Sequence, residues 1–176
     1  MILVLGLGNI LLSDEGIGVW VAVSLQRRFA FPPEVSVLEG GTLGLDLLPR
    51  LDGVDRLILV DAVRVGRAPG EVVRVAGDAV PAVLDVKVSP HQVGVQDLLA
   101  AARLMGSEPS EVVLWGMEPE RLAPGTGFSP PVKVGLPRLE AAVLDELDRW
   151  GVAARPRDGA APLPIWWENP GIGRPQ

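Results

Sequence analysis

The chain has 176 residues, of which 48% are hydrophobic, and a formal charge of −6. That suits one compact domain with a real core. It argues against nucleic-acid or anionic-membrane partners, which need a concentrated Lys/Arg surface, whereas the 16 basic residues here are scattered. With no cysteine there is no thiol nucleophile, disulfide or thiolate metal site, and any imidazole chemistry falls to the single histidine, His91.

The first element is the apolar run from Met1 to Leu7, read as a buried strand that opens into Gly6-Leu7-Gly8-Asn9 and then Ser13-Asp14-Glu15-Gly16-Ile17-Gly18. A helical pattern follows over Ile17 to Phe29, with basic Arg27 and Arg28 near its end. Next come a strand at Val35 to Glu39, the turn Gly40-Gly41-Thr42, a helical spacing over Leu43 to Leu51 and a third apolar strand, Arg56 to Asp61. Glu71 to Val75 alternates and reads as an edge strand. Ser89-Pro90-His91-Gln92 precedes a helix expected to begin near Gly94, with Val95, Leu98, Leu99 and Ala102 on one face. Glu111 to Met117 is the last strand, and Leu136, Leu139, Val143, Leu147 and Trp150 mark a long final helix. This alternation predicts right-handed βαβ crossovers and a three-layer α/β/α sandwich around a mostly parallel twisted sheet, with the final helix closing one face.

Residues 1–150 are expected to form the domain, and residues 151–176, rich in Pro, Gly, Ala and Arg, an appended mobile tail. Within the tail, Ile165-Trp166-Trp167 reads either as rings packed back on the domain or as a short docking motif. No basic n-region precedes the first apolar run, and no apolar stretch approaches the roughly 18 residues of a spanning helix. A soluble cytoplasmic protein without membrane insertion is expected.

Ligands in open α/β sheets bind outside the carboxyl ends of the strands. If the first and third strands are parallel neighbours, Asp14, Glu15 and Asp61 share one crevice. His91 joins them if its helix packs beside the same edge. Glu, Asp and His make a mixed O/N site with open positions, suited to a borderline divalent metal such as nickel or zinc. Each residue also has a simpler reading. Asp14 or Ser13 caps the helix that follows, which is the preferred role for Asp14, and Glu15 complements that helix's dipole. Asp61 hydrogen-bonds a neighbouring loop, and His91 is a structural histidine near a helix start. The first glycine loop begins like a dinucleotide fingerprint, but Leu11 stands at the third glycine, and two acids there would repel a pyrophosphate. Gly40-Gly41-Thr42 is either an ordinary tight turn or a place where an extended ligand approaches the backbone. No Gly-x-Ser-x-Gly elbow accompanies His91.

In order along the chain, Gly6 to Gly18, Glu39-Gly40-Gly41-Thr42-Leu43-Gly44-Leu45, Val60-Asp61-Ala62, Ser89-Pro90-His91-Gln92, Gly116-Met117-Glu118-Pro119-Glu120 and Phe128-Ser129-Pro130-Pro131-Val132 resemble the nickel-iron hydrogenase maturation proteases. These are endopeptidases that remove a short C-terminal extension from the hydrogenase large subunit. The resemblance covers about residues 1–150 and implies a phosphorylase/hydrolase-like sandwich. It places Glu15, Asp61 and His91 at the family's metal-contacting positions. It also implies a precursor large subunit as partner, with nickel supplied by that substrate and another divalent ion such as zinc or cadmium able to occupy the site. The family usually has Asp before Gly-Gly-Thr, where this chain has Glu39, a carboxylate one methylene longer.

Asp61, Glu15 and Glu39 are therefore the expected catalytic acids, through metal-assisted water attack or an aspartic-type role of Asp61 or Glu39. Gly40, Gly41 and Thr42 are the expected contacts to the precursor backbone. The alternatives are a non-cleaving nickel-dependent chaperone of the immature subunit and a small nucleotide-binding enzyme.

Overall fold

A computed structural model describes residues 1–84 and 90–159, without the side chains of residues 90–93. The elements are β1 (Ile2–Leu7), α1 (Ile17–Arg28), β2 (Phe29–Ala30), β3 (Val35–Gly41), β4 (Arg56–Ala62), β5 (Val72–Ala76), α2 (Ala79–Leu84), α3 (Pro90–Leu104), β6 (Glu111–Met117), α4 (Pro130–Arg149) and β7 (Arg155–Pro156). Five strands form one sheet in the order β3-β1-β4-β6-β5. The first four are parallel, and β5 is the expected edge strand, antiparallel to β6.

The apolar runs form central strands because both faces are covered, and each strand divides its side chains between two cores. Ile2 and Val4 of β1 with Ile58 and Val60 of β4 pack under α1 and α4. Leu3, Leu5 and Leu7 with Leu57 and Leu59 pack under α3, α2 and the segment Gly44–Leu51. Each such side chain contributes roughly 1.5–3 kcal/mol when fully buried. The three-layer α/β/α architecture is thus as expected. The α1 and α4 helices are tied by Glu140, which accepts from Ser24 and Arg28.

Two expectations change. Leu43 to Leu51 is not an α-helix but a 3₁₀ segment, Gly44–Leu51. Pro49 has no N–H to donate and its ring crowds the preceding turn, so the apolar spacing is satisfied in the tighter form. The helix expected near Gly94 begins at Pro90, which places His91 inside the first turn. Proline's fixed φ suits that position. The final helix likewise starts at Pro130, after Ser129.

Beyond Trp150 the described chain stays on the domain as far as residue 157. Val152 is buried, β7 pairs antiparallel with β2, and Arg157 N donates to Arg28 O at 2.8 Å. Ile165, Trp166 and Trp167, like Ser89, lie outside the described residues. No helix among the described residues is long and apolar enough to cross a membrane.

Candidate active site

The strand order reverses between β1 and β4. The β1-to-β3 connection runs through α1 on one face, and the β4-to-β6 connection runs through α3 on the other. Opposed right-handed crossovers splay apart at such a point and leave a crevice at the carboxyl ends of the two strands.

Asp61, the penultimate residue of β4, reaches this crevice with no solvent exposure. Side chains alternate along a strand, so it lies on the α3 side, following Leu57 and Leu59. Its Oδ1 accepts the Ala62 N–H at 2.8 Å, which fixes the carboxylate's orientation.

Glu15 lies in the 3₁₀ turn Ser13–Gly16 and is 1% exposed. Two glycines hold that turn against the sheet. A Cβ on Gly8 would stand 1.8 Å from Glu15 O, and one on Gly18 would stand 2.0 Å from Val60 O, so only hydrogen lets these backbones meet. The turn packs directly on β4, the strand that carries Asp61.

The backbone of α3 brings its first turn to the other side of the opening. A Cβ on Gly94 would lie 3.0 Å from Gly44 Cα, so α3 abuts the segment that follows β3. His91 sits one turn earlier, at the crevice end of α3. Among the described residues no three His, Asp or Glu side chains cluster as a metal cage, a set that does not include the His91 side chain.

Glu39, Gly40, Gly41 and Thr42 come together with Gly8, Asn9, Ile10, Val19 and Leu43 around a cleft of about 350 Å³ beside this crevice. Gly41 adopts φ +51, and a Cβ there would meet nothing within 4 Å, leaving open space in front of the backbone. Glu39 does not join Asp61. Both Glu39 and Val60 are in register with Gly6, so Glu39 projects on the α1 face and Asp61 on the α3 face, two strand spacings or about 10 Å apart. A proton-sharing dyad needs carboxylates in contact. This arrangement does not supply one.

Asp14 is not the cap of its own helix, whose N-cap is Gly16 with no side-chain hydrogen bond. It is fully buried and accepts four hydrogen bonds from distant residues: Ser129 N at 2.7 Å on Oδ1, and Ser129 Oγ at 2.8 Å, Glu120 N at 3.0 Å and Arg121 N at 3.0 Å on Oδ2. Neighbouring Ser13 donates to Ala123 O at 2.8 Å and to Gly125 O at 2.9 Å. The loop before α4 therefore buttresses the turn that carries Glu15. Sequence reasoning missed this support. The available signal was Ser129-Pro130-Pro131, a helix-start pattern whose serine then serves a remote acid.

The family model of the hydrogenase maturation proteases, HycI, matches residues 19–146. The hydrogenase 2 maturation protease of Escherichia coli strain K12 is 42% identical over 158 residues, spanning 89% of this chain and 96% of that protein. The hydrogenase expression/formation protein HoxM of Azotobacter vinelandii is 40% identical over 180 residues, spanning 99% of this chain and 87% of that protein. The solved structure of the hydrogenase maturating endopeptidase HybD from E. coli is similar with a TM-score of 0.85 at 42% identity, covering 89% of this chain and 97% of that one. The NiFe hydrogenase maturation protease HybD from Thermococcus kodakarensis is similar with a TM-score of 0.68 at 27% identity, covering 83% and 97%. Similar over most of its length in both sequence and fold, the chain belongs to the hydrogenase maturation proteases, a family of peptidases.

Proposed function

We propose that the protein is an endopeptidase that removes a C-terminal extension from the nickel-loaded precursor of a nickel-iron hydrogenase large subunit, with Glu15, Asp61 and His91 contacting the metal that the precursor presents. The observation that carries this reading is the pair of buried carboxylates, Glu15 and Asp61, at the switch-point crevice beside the first turn of α3. Carboxylate oxygens together with an imidazole suit a borderline divalent ion such as nickel or zinc.

Nickel held by the precursor would supply Lewis-acid polarisation at the scissile carbonyl. The chain's own residues do the rest. Asp61, oriented by the Ala62 N–H, accepts the proton of the attacking water and returns it to the leaving amine. Glu15 fixes the opposite wall of the crevice. The Gly40-Gly41-Thr42 loop receives the extended precursor backbone at Gly41, where a Cβ would meet nothing within 4 Å.

Mass spectrometry of nickel-loaded precursor mixed with the protein tests this reading. The expected result is a shortened precursor, with Asp61→Ala and His91→Ala each abolishing the mass shift while the variants stay folded. A precursor that binds but keeps its mass would turn the assignment to a non-cleaving nickel-dependent chaperone. Unchanged cleavage by both variants would remove these residues from the site.

A further inference from the structure

The sheet has two edges, and only one leads into the crevice. At the far edge β5 runs antiparallel to its neighbour, so its carboxyl end points away from the crevice. At the near edge β3 runs parallel to β1, and its last residues, Glu39–Gly41, line the cleft.

The main-chain groups of β3 fall into two sets. Ile2 N donates to Glu34 O at 2.8 Å, and with Ile2 in register with Val35 the ladder takes the groups of residues 34, 36, 38 and 40 toward β1. Those of Val35, Val37 and Glu39 turn outward. Val35 N is used by Pro32 O at 3.0 Å, and Val37 O accepts from the exposed Gln26 side chain at 2.8 Å. Val37 N–H and the N–H and C=O of Glu39 remain facing outward. Natural edges are usually blunted by Pro, Lys or a bulge. Val35 to Glu39 has none of these, and the register shift comes only where β1 passes from Gly6 to Leu7, at the mouth of the cleft.

The cleft continues this edge across the ends of β3 and β1. Its lining includes the apolar side chains of Ile10, Val19 and Leu43, the last 54% exposed.

Resting on the proposed function, we propose that the outer edge of β3 binds the precursor's C-terminal extension as an added strand paired along Val37–Gly41. The chain then crosses the cleft, where Ile10, Val19 and Leu43 take an apolar side chain, to reach Asp61. An added strand outside β3 lies three strand spacings from β4, about 14 Å. At about 3.3 Å per extended residue, the paired segment begins about four residues past the cleaved bond. The extension is the segment that the proposed cleavage releases, and the pairing is assigned to it.

Hydrogen-exchange mass spectrometry of the wild-type protein, with and without nickel-loaded precursor and quenched before cleavage is complete, reads the docking directly. Peptides covering residues 35–42 are expected to gain protection. In steady-state processing, Val37→Pro removes one outward N–H and no ladder bond, so KM should rise at least about tenfold with kcat retained. Shortening the extension to fewer than about four residues should raise KM in the same way. If wild-type protein shortens the precursor but residues 35–42 gain no protection, the docking is overturned and the proposed function stands. If the precursor keeps its mass yet protects those residues, the docking stands and the cleavage reading falls. Neither cleavage nor protection overturns both. Protection that appears on concentrating the protein alone marks the edge as an interface between copies of this chain, and also overturns the proposal. The exchange measurement decides the matter should Val37→Pro fail to fold.

Discussion

Asp14 holds Ser129 at both ends: Oδ1 takes the Ser129 backbone N–H at 2.7 Å and Oδ2 takes its hydroxyl at 2.8 Å, across a sequence separation of 115 residues. The bonds join the 3₁₀ turn that carries Glu15 to the start of α4. Asp14→Asn would place an amide donor against N–H and O–H donors that converge on a carboxylate. A loss of about 2–4 kcal/mol is expected in urea unfolding, with faster hydrogen exchange concentrated in residues 118–129. Equal exchange in that loop would show that Asp14 does not hold it.

Glu39 offers a sharper separation of roles. On the α1 face of the sheet and about 10 Å from Asp61, it borders the cleft and stands apart from the proposed catalytic acid. Glu39→Gln should therefore raise KM for the precursor while leaving turnover within about threefold and the acid limb of the pH profile unmoved. Turnover slowed by about two orders of magnitude or more would make it a catalytic acid.

Gly41 tests the open space in front of its backbone. Its φ of +51 disfavours any L side chain and β-branched ones most, so Gly41→Val should cost about 1–2 kcal/mol. Gly41→Asn tolerates that conformation better and should unfold close to wild type. Both side chains would project into the space proposed to receive the precursor, and both should slow processing at least about tenfold. Normal processing by Gly41→Asn would remove this contact.

Stability at low pH should depend on Glu146. This buried acid accepts two bonds from Arg74 at 2.8 Å each, one from Arg149 at 2.9 Å and one from Trp115 Nε1 at 3.2 Å, clamping α4 to β5 and β6. The Arg74 hydrogen bonds, more than any other contact, hold its carboxyl below the ordinary value. A lowered folded pKa stabilises above the unfolded value of about 4.3, and that contribution is lost as pH falls through the folded one. Arg74 is partly exposed, so solvent weakens the pair. Glu146→Gln is expected to cost about 1–3 kcal/mol at pH 7, with the gap to wild type closing below about pH 4 in thermal melts. A gap that does not change with pH would assign the cost to packing.

The strands were legible because Ile2 to Leu7 and Leu57 to Val60 are apolar without interruption, and a chain places such runs where both faces are covered. Asp61 stood out for the same reason, as an acid directly after four buried apolar residues. What escaped the sequence depended on partners far along the chain. The two-residue strands β2 and β7 have no periodicity of their own and exist because Phe29–Ala30 meets Arg155–Pro156. Leu43 to Leu51 has helical spacing, but Pro49 decides the form. Asp14 looks like a cap for the helix beside it until Ser129 arrives from the other end of the fold. The opposition of Glu39 and Asp61 needs the strand register, which neither local segment contains.

The link from Asp14 to Ser129 also bears on when the protein becomes competent. Chains emerge from the ribosome N-terminus first, and contacts between distant positions form late. The Glu15 wall is written in the first tenth of the sequence, yet its support arrives only after residue 129 has been made. A nascent or truncated chain ending before α4 would carry both acids without the brace that holds Glu15 in place. On the proposed function, completion of the fold thereby delays peptidase competence until most of the chain has been synthesised.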